Sequence, residues 1–189
     1  MTFIETVPEP RLDDAARETQ GYVPNYVSVF SRRPDVYEAW RALLGAIRAS
    51  MDDRRYELAT MAAAKEVRSS YCMFAHGSVL MNQFMGADEV RAIAADHRAA
   101  GLDEVDVAVM DLAEKVAADA GTVTQADIDR LRALGLSDGE IFDVVATSAA
   151  RSFFTKIVDG LGAQPDSRYA ELDPGLREVL TVGRPIEAA

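Results

Sequence analysis

The chain has 189 residues, with 31 acidic against 20 basic side chains, a formal net charge of -11 and one cysteine. This length favours a single domain that buries roughly 70% of its unfolded surface. The acidic excess argues against nucleic-acid and membrane partners, because both bind through basic surface, and we predict neither. One cysteine cannot form an intramolecular disulfide, which excludes a disulfide-stapled secreted domain and favours a reducing cytoplasm. The N-terminal segment has neither the basic start nor the apolar run of a signal peptide, so we expect a cytoplasmic protein.

The sequence predicts an all-α protein, since 31 residues are alanine, the best helix former, and no alternating strand pattern of useful length occurs. Capping signals support two of the starts, namely Ser137 with Glu140 three residues later, and Thr124 with Asp127. The helices are predicted, in chain order, from Arg33 to about residue 50 and over 53–67, 70–85, 88–100, 104–118, 125–134 and 137–161. We divide the chain into an N-terminal arm (1–23), one helical domain (24–166) and a C-terminal tail (167–189).

Cys72 and His76 are the residues with the clearest catalytic potential. Their spacing of four places both side chains on one helix face, with Cβ atoms roughly 5 to 6 Å apart. A thiol must lose its proton to act as a nucleophile, and an imidazole one turn away can accept it. The structural alternatives are a buried core cysteine and a hydrogen-bonded histidine. A closed zinc site needs four ligands, so we predict no metal, and we expect His97, in a polar stretch, at the surface.

The region around this pair matches a known pattern. Glu57 lies twelve residues before Ser69, Cys72 follows Ser69 by three, and His76 follows Cys72 by four. With the run SSYCMFAHGSVL, this spacing resembles the signature of the AhpD-like, carboxymuconolactone decarboxylase superfamily, in which a Glu precedes a Cys-x-x-Cys-x-x-x-His motif. The flanking segments resemble the peroxidase-related members, so the likeness covers about residues 24–166.

This resemblance implies an AhpD-like helical fold, assembly as a homotrimer or homohexamer, and antioxidant thiol chemistry without a cofactor. It implies that Cys72 is the peroxidatic cysteine, that His76 belongs to the proton relay, and that Glu57 polarises the histidine. Such a site requires a turn near Arg68 and Ser69, because a continuous helix would separate Glu57 from Cys72 by roughly 22 Å. Without the resemblance, Glu57 would be interpreted as an ordinary exposed carboxylate.

Ser69 stands where the family has its resolving cysteine, and a serine cannot form a disulfide with the oxidised Cys72. Reduction must then come from an external thiol, or from Cys72 of another subunit. We interpret Ser69 as the N-cap of the motif helix; a hydrogen bond to the Cys72 thiolate is the alternative.

Two enzymatic hypotheses and one structural hypothesis follow. The first is a one-cysteine peroxidase with an external thiol reductant and a small peroxide substrate, which predicts a low thiol pKa at Cys72. The second is a lyase or isomerase acting on a small carboxylate or lactone through His76 and Glu57, for which the acidic surface offers no attraction to anions. The third is a non-catalytic family member. The apolar runs at 56–64 and 140–161 also predict a homo-oligomer, since large apolar faces mark interfaces.

Overall fold

A computed structural model describes residues 2–188, which form ten α-helices and no strand. The predicted all-α fold is therefore confirmed. The helices, numbered in chain order, are α1 Pro10–Gln20, α2 Asn25–Val29, α3 Pro34–Arg48, α4 Asp53–Glu66, α5 Ser70–Gln83, α6 Ala87–Asp96, α7 Glu104–Asp119, α8 Gln125–Ala133, α9 Asp138–Gly160 and α10 Pro174–Leu180. Within residues 2–188, no helix has the length and apolar character needed to cross a membrane.

The seven predicted helices all start within one residue of their predicted starts. The local reason is visible at α9, where the Ser137 hydroxyl accepts from the Glu140 amide and the Glu140 carboxylate accepts from the Ser137 amide. The ends agree less well, and α6 stops at Asp96, four residues early, where the chain tightens into turns that lead to Gly101 at a φ of 78°. Capping residues thus define where these helices begin.

Helices α1, α2 and α10 were not predicted, and α10 lies in the segment interpreted as a C-terminal tail. Helix α1 lies inside the segment interpreted as an N-terminal arm, yet its Leu12 and Ala16 are buried. Its N-cap residue, Glu9, makes no side-chain cap hydrogen bond, so the usual start signal is missing. The arm therefore carries a helix that packs onto the rest of the chain.

The core is built around α4. This helix packs against α5, α7 and α9, and every residue from Tyr56 to Ala64 is buried. Alanines on several sides allow the neighbouring backbones to approach closely, which explains why so apolar a helix is stable at the centre of this chain. The apolar run at 56–64 is thus buried within the chain and gives no support to the predicted homo-oligomer, which stays a prediction. The outer side of α9 does expose Phe142 and Phe153.

His97 is buried rather than exposed, with 2% of its surface accessible, so the sequence-based expectation was wrong. It lies just after α6, where its Nε2 is 3.0 Å from the Asp111 carboxylate on α7. Arg98 and Arg130 bind the same carboxylate. A single histidine in a polar stretch can be buried when its ring finds a partner, as His97 does while Asp96 and Arg98 beside it stay exposed.

The C-terminal residues pack against the turn between α4 and α5. The Gly183 amide donates to the Ser70 hydroxyl over 2.7 Å, and the Arg68 guanidinium donates to the Val182 carbonyl. Gly183 is so close that a Cβ built there would lie 2.0 Å from the Arg68 carbonyl oxygen. These contacts fix the turn from which the motif helix α5 starts.

Gly183→Ala is therefore expected to destabilise the protein. The added methyl group overlaps backbone that cannot rotate away, and overpacking of this kind costs about 1–3 kcal/mol. Chemical denaturation measures the change in the free energy of unfolding. Gly160→Ala is the matched control, because a Cβ at the end of α9 meets nothing within 4 Å, and its stability should stay equal or rise slightly. Equal stabilities for both variants would contradict the proposed role of the segment.

Candidate functional site

The turn between α4 and α5 brings the motif residues together. Helix α4 ends at Glu66 and α5 begins at Ser70, with Arg68 between them in the left-handed conformation at a φ of 58°. The turn predicted near this position is confirmed. It folds α5 back against α4, so that Glu57 and His76 face each other although they are 19 residues apart.

Glu57 and His76 form a short hydrogen bond, with 2.5 Å between Oε2 and Nδ1. Glu57 is buried, which excludes the alternative of an ordinary exposed helix carboxylate. Because a carboxylate only accepts, this bond fixes the proton on Nδ1 and leaves Nε2 free to accept one. Burial lowers the pKa of His76, as does the charge of Arg151, while Glu57 opposes the shift. His76 is therefore a neutral base held in one tautomer at neutral pH.

Cys72 is the third residue of α5 and only 1% of its surface is accessible. Burial raises the pKa of its thiol, and the Arg151 guanidinium, whose Nη1 lies 3.6 Å from Sγ, acts in the opposite direction. The expectation of a low thiol pKa was therefore wrong, because the effect of burial outweighs that of the cation. Within residues 2–188, no hydrogen bond joins Cys72 directly to His76, but both line the same cavity.

Ser69 holds the N-cap position of α5, but its side chain makes no capping hydrogen bond, so our interpretation of it as a side-chain cap was wrong. Its carbonyl accepts the first bond of the helix, from the Met73 amide. The hydroxyl is buried near Cys72 and Asp159 and makes no hydrogen bond of ordinary geometry. It acts to lower the pKa of both groups, against the larger effect of burial, which raises them. Ser69 therefore lies near the Cys72 thiol, but its hydroxyl cannot form the disulfide that would resolve a sulfenic acid.

Arg151 is a site residue that the sequence analysis missed. It projects from α9, is 2% exposed, and donates toward Cys72 Sγ and, over 3.4 Å, toward the Tyr56 hydroxyl. Its guanidinium also lies 5.5 Å from the Phe154 ring centre. A buried guanidinium is costly unless it serves a partner, so its position beside the thiol marks a functional site. The available signal was a lone arginine within the apolar run of α9.

A cavity of about 520 Å³ opens above these residues, between α1, α3, α5 and α9. Aromatic rings form much of its wall, including Tyr26, Trp40 and Phe154. Its charged lining comprises Arg41, Arg48 and Arg151 against the single carboxylate of Glu57. Although Arg48 is itself paired with Asp53, the cavity lining has the opposite sign to the whole protein, which the net charge of the chain does not indicate.

Metal ligands do not gather at this site or elsewhere in residues 2–188, where no three His, Cys, Asp or Glu side chains are placed to share an ion. Cys72, His76 and Glu57 lie together at one cavity, with Arg151 as an added cation.

Comparison with known proteins places the fold. No protein-family model matches the chain, and no curated protein sequence matches it significantly. Among solved structures, it is similar to an uncharacterized peroxidase-related protein with an alkylhydroperoxidase AhpD core from Ralstonia eutropha JMP134, at 21% identity and a TM-score of 0.81, over 89% of this chain and 94% of that one. A peroxidase-related protein from Silicibacter sp. TM1040 matches at 18% identity and a TM-score of 0.80, over 90% and 94%.

The chain is also similar to the debrominase Bmp8 in complex with 2,3,4-tribromopyrrole, at 14% identity and a TM-score of 0.73, over 95% of this chain and 96% of that one. Together these likenesses define the class of protein: an all-helical chain with an AhpD-like fold, as the motif predicted. The fold is found in peroxidase-related proteins and in a debrominase, so its members have more than one activity.

Proposed function

We propose that this protein reduces hydroperoxides through Cys72 and is regenerated by an external thiol. The observation that carries the proposal is the position of Cys72 Sγ, 3.6 Å from Arg151 Nη1 and on the wall of a cavity that also holds the Glu57–His76 pair. A nucleophile, a cation that favours its ionised form and a base oriented by a carboxylate are the parts that thiol catalysis requires.

In the first step, His76 Nε2 accepts the thiol proton of Cys72, directly or through a water. The sulfur attacks the terminal oxygen of the hydroperoxide, the O–O bond breaks and an S–O bond forms. The departing alkoxide takes the proton from His76 and leaves as an alcohol. Cys72 is oxidised to a sulfenic acid and the peroxide is reduced, while Arg151 stabilises the thiolate before the attack.

In the second step, an external thiol attacks the sulfenic sulfur. A mixed disulfide forms and water leaves. A second thiol attacks the mixed disulfide, which releases Cys72 as a thiol and the reductant as its disulfide. Ser69 supports this route, since the position next to the sulfenic acid carries a hydroxyl that cannot form a disulfide.

A second function is favoured by the raised pKa of Cys72. A neutral thiol leaves the Glu57–His76 pair as the reactive part of the site, which suits proton transfer on a small carboxylate or lactone. In that case Cys72 would be dispensable. A non-catalytic protein, the third hypothesis, would not need a buried arginine against the thiol.

Trapping the intermediate tests the proposal. Native protein treated with hydrogen peroxide and dimedone is expected to gain one dimedone adduct at Cys72, located by mass spectrometry of the peptides. Labelling should compete with an added thiol, because both react with the same sulfenic acid. Protein denatured before peroxide treatment is the control, and it should label more slowly. Equal labelling of native and denatured protein would contradict the proposal.

A further inference from the structure

Two hydrogen-bond donors in the cavity wall have no acceptor. Trp40 Nε1 and Arg151 Nε are buried and make no hydrogen bond with any residue from 2 to 188. Both residues line the cavity, and the Arg151 guanidinium lies 6.0 Å from the centre of the Trp40 ring. A buried donor without an acceptor is unfavourable, and two adjacent ones in a cavity wall are typical of a site whose acceptor is a ligand.

The one carboxylate in the lining of the cavity is already paired. The Glu57 carboxylate binds His76, and the hydroxyls of Tyr71 and Tyr22 donate to Asp166. Arg41 adds a cation at the cavity and forms no ion pair with another described residue. Apart from His76 Nε2, which accepts the thiol proton in the proposed reaction, the charged and buried groups left unpaired are donors and cations, so the complementary ligand carries an acceptor with negative charge.

The rest of the wall favours a flat apolar body. Trp40 and Phe154 stack with ring centres 4.3 Å apart, and the ring of Tyr26 lies against Phe154 at 5.4 Å. Aromatic walls pack best against another ring, and a cavity of about 520 Å³ has the volume of a small-molecule site.

We propose that this cavity binds an aromatic carboxylate. Its carboxylate oxygens accept from Trp40 Nε1 and Arg151 Nε, and its ring packs on Trp40 and Phe154. The inference rests on the proposed function, because it makes this ligand the organic part of the substrate. The guanidinium of Arg151 then lies between the ligand's carboxylate and the thiol of Cys72. Both nitrogens are covered by neighbouring side chains, so binding moves the indole, and Trp40, the single tryptophan of the chain, reports it.

Benzoate, benzyl alcohol and acetate test the proposal by calorimetry and by Trp40 fluorescence. Benzoate carries both ring and charge, benzyl alcohol the ring alone and acetate the charge alone. We expect benzoate to bind at least tenfold more tightly than either partner and to change the fluorescence. Absence of benzoate binding, or equal affinity for benzyl alcohol, would overturn the inference.

Two variants locate the carboxylate. Trp40→Phe keeps the ring but removes the N–H, and Arg151→Lys keeps the charge but removes Nε; each should weaken benzoate binding about tenfold in calorimetry. Trp40→Phe should still bind benzyl alcohol, which shows that the cavity is still formed. Lys156→Gln, which removes an exposed positive charge from the same helix, is the control and should bind benzoate as native protein does. An equal loss in Lys156→Gln would mean that general charge attracts benzoate, and would overturn the inference.

The two proposals fail in different ways. A dimedone adduct at Cys72 without benzoate binding would leave the peroxidase function standing and refute the aromatic carboxylate. Benzoate binding with no adduct would refute the peroxidase function and leave the binding site.

Discussion

Cys72→Ser protein is expected to lose peroxide reduction by roughly 1,000-fold or more, down to the uncatalysed rate. The serine hydroxyl keeps its proton at any physiological pH, and its oxygen cannot be oxidised to the equivalent of a sulfenic acid. The change is nearly isosteric, so the buried position should still be filled and the helices retained. Peroxide consumption in the presence of an added monothiol measures the loss, and circular dichroism checks the fold.

Two changes at Ser69 accompany this test. Ser69→Ala is the matched control: it removes a hydroxyl that lowers the pKa of Cys72, so it should slow peroxide reduction only a few-fold. Ser69→Cys restores a second thiol, and activity that appears only in this variant would mean that the native chain is not a peroxidase. Full activity of Cys72→Ser on a small carboxylate or lactone would instead establish the lyase alternative.

The parts of this site that could be predicted are those fixed by local spacing. Cys72 and His76 share a face because a helix repeats every 3.6 residues. The break near Arg68 followed from the family resemblance, which assigned Glu57 to the same site. Helix starts were also accessible, since a capping residue and the helix that it caps are neighbours in sequence. These features depend on residues that are close together in the sequence, so they can be predicted from it.

Arg151 could not be predicted for the opposite reason. It lies 79 residues after Cys72, and only the packing of α9 against the core brings its guanidinium to the thiol. The direction of the Cys72 pKa shift depends on the same packing, because burial and a cation act against each other and only the folded structure sets their balance. The cationic lining of the cavity could not be predicted either, because the net charge of -11 describes the whole chain and does not show where its arginines lie.

Substitution of His76 is expected to cause the second large loss of activity. His76→Gln is expected to lower kcat/KM for peroxide by roughly 100- to 10,000-fold, because the thiol of Cys72 then loses the base that accepts its proton. Burial makes this base essential, since it raises the pKa of Cys72 and leaves little thiolate at neutral pH. His97→Gln is the matched control: His97 is the other histidine of the chain, it is also buried, and it does not line the cavity. A similar loss in both variants would indicate general destabilisation.

The pH profile separates a base from a structural residue. The pKa of His76 is lowered from 6.5, so the imidazole is neutral above pH 6.5 and native kcat/KM should fall only below that pH, as His76 gains a proton. The free energy of unfolding changes in the same direction. The unfolded chain binds this proton at a higher pH than the folded chain, so the folded state loses stability as pH drops through 6.5 toward the lowered pKa of His76. In Glu57→Gln the carboxylate that raises the pKa of His76 is gone. The acid limb should therefore move to still lower pH while the plateau drops, because a neutral amide can donate as well as accept and no longer fixes the proton on Nδ1. An acid limb that stays in place in Glu57→Gln would mean that His76 does not control the reaction.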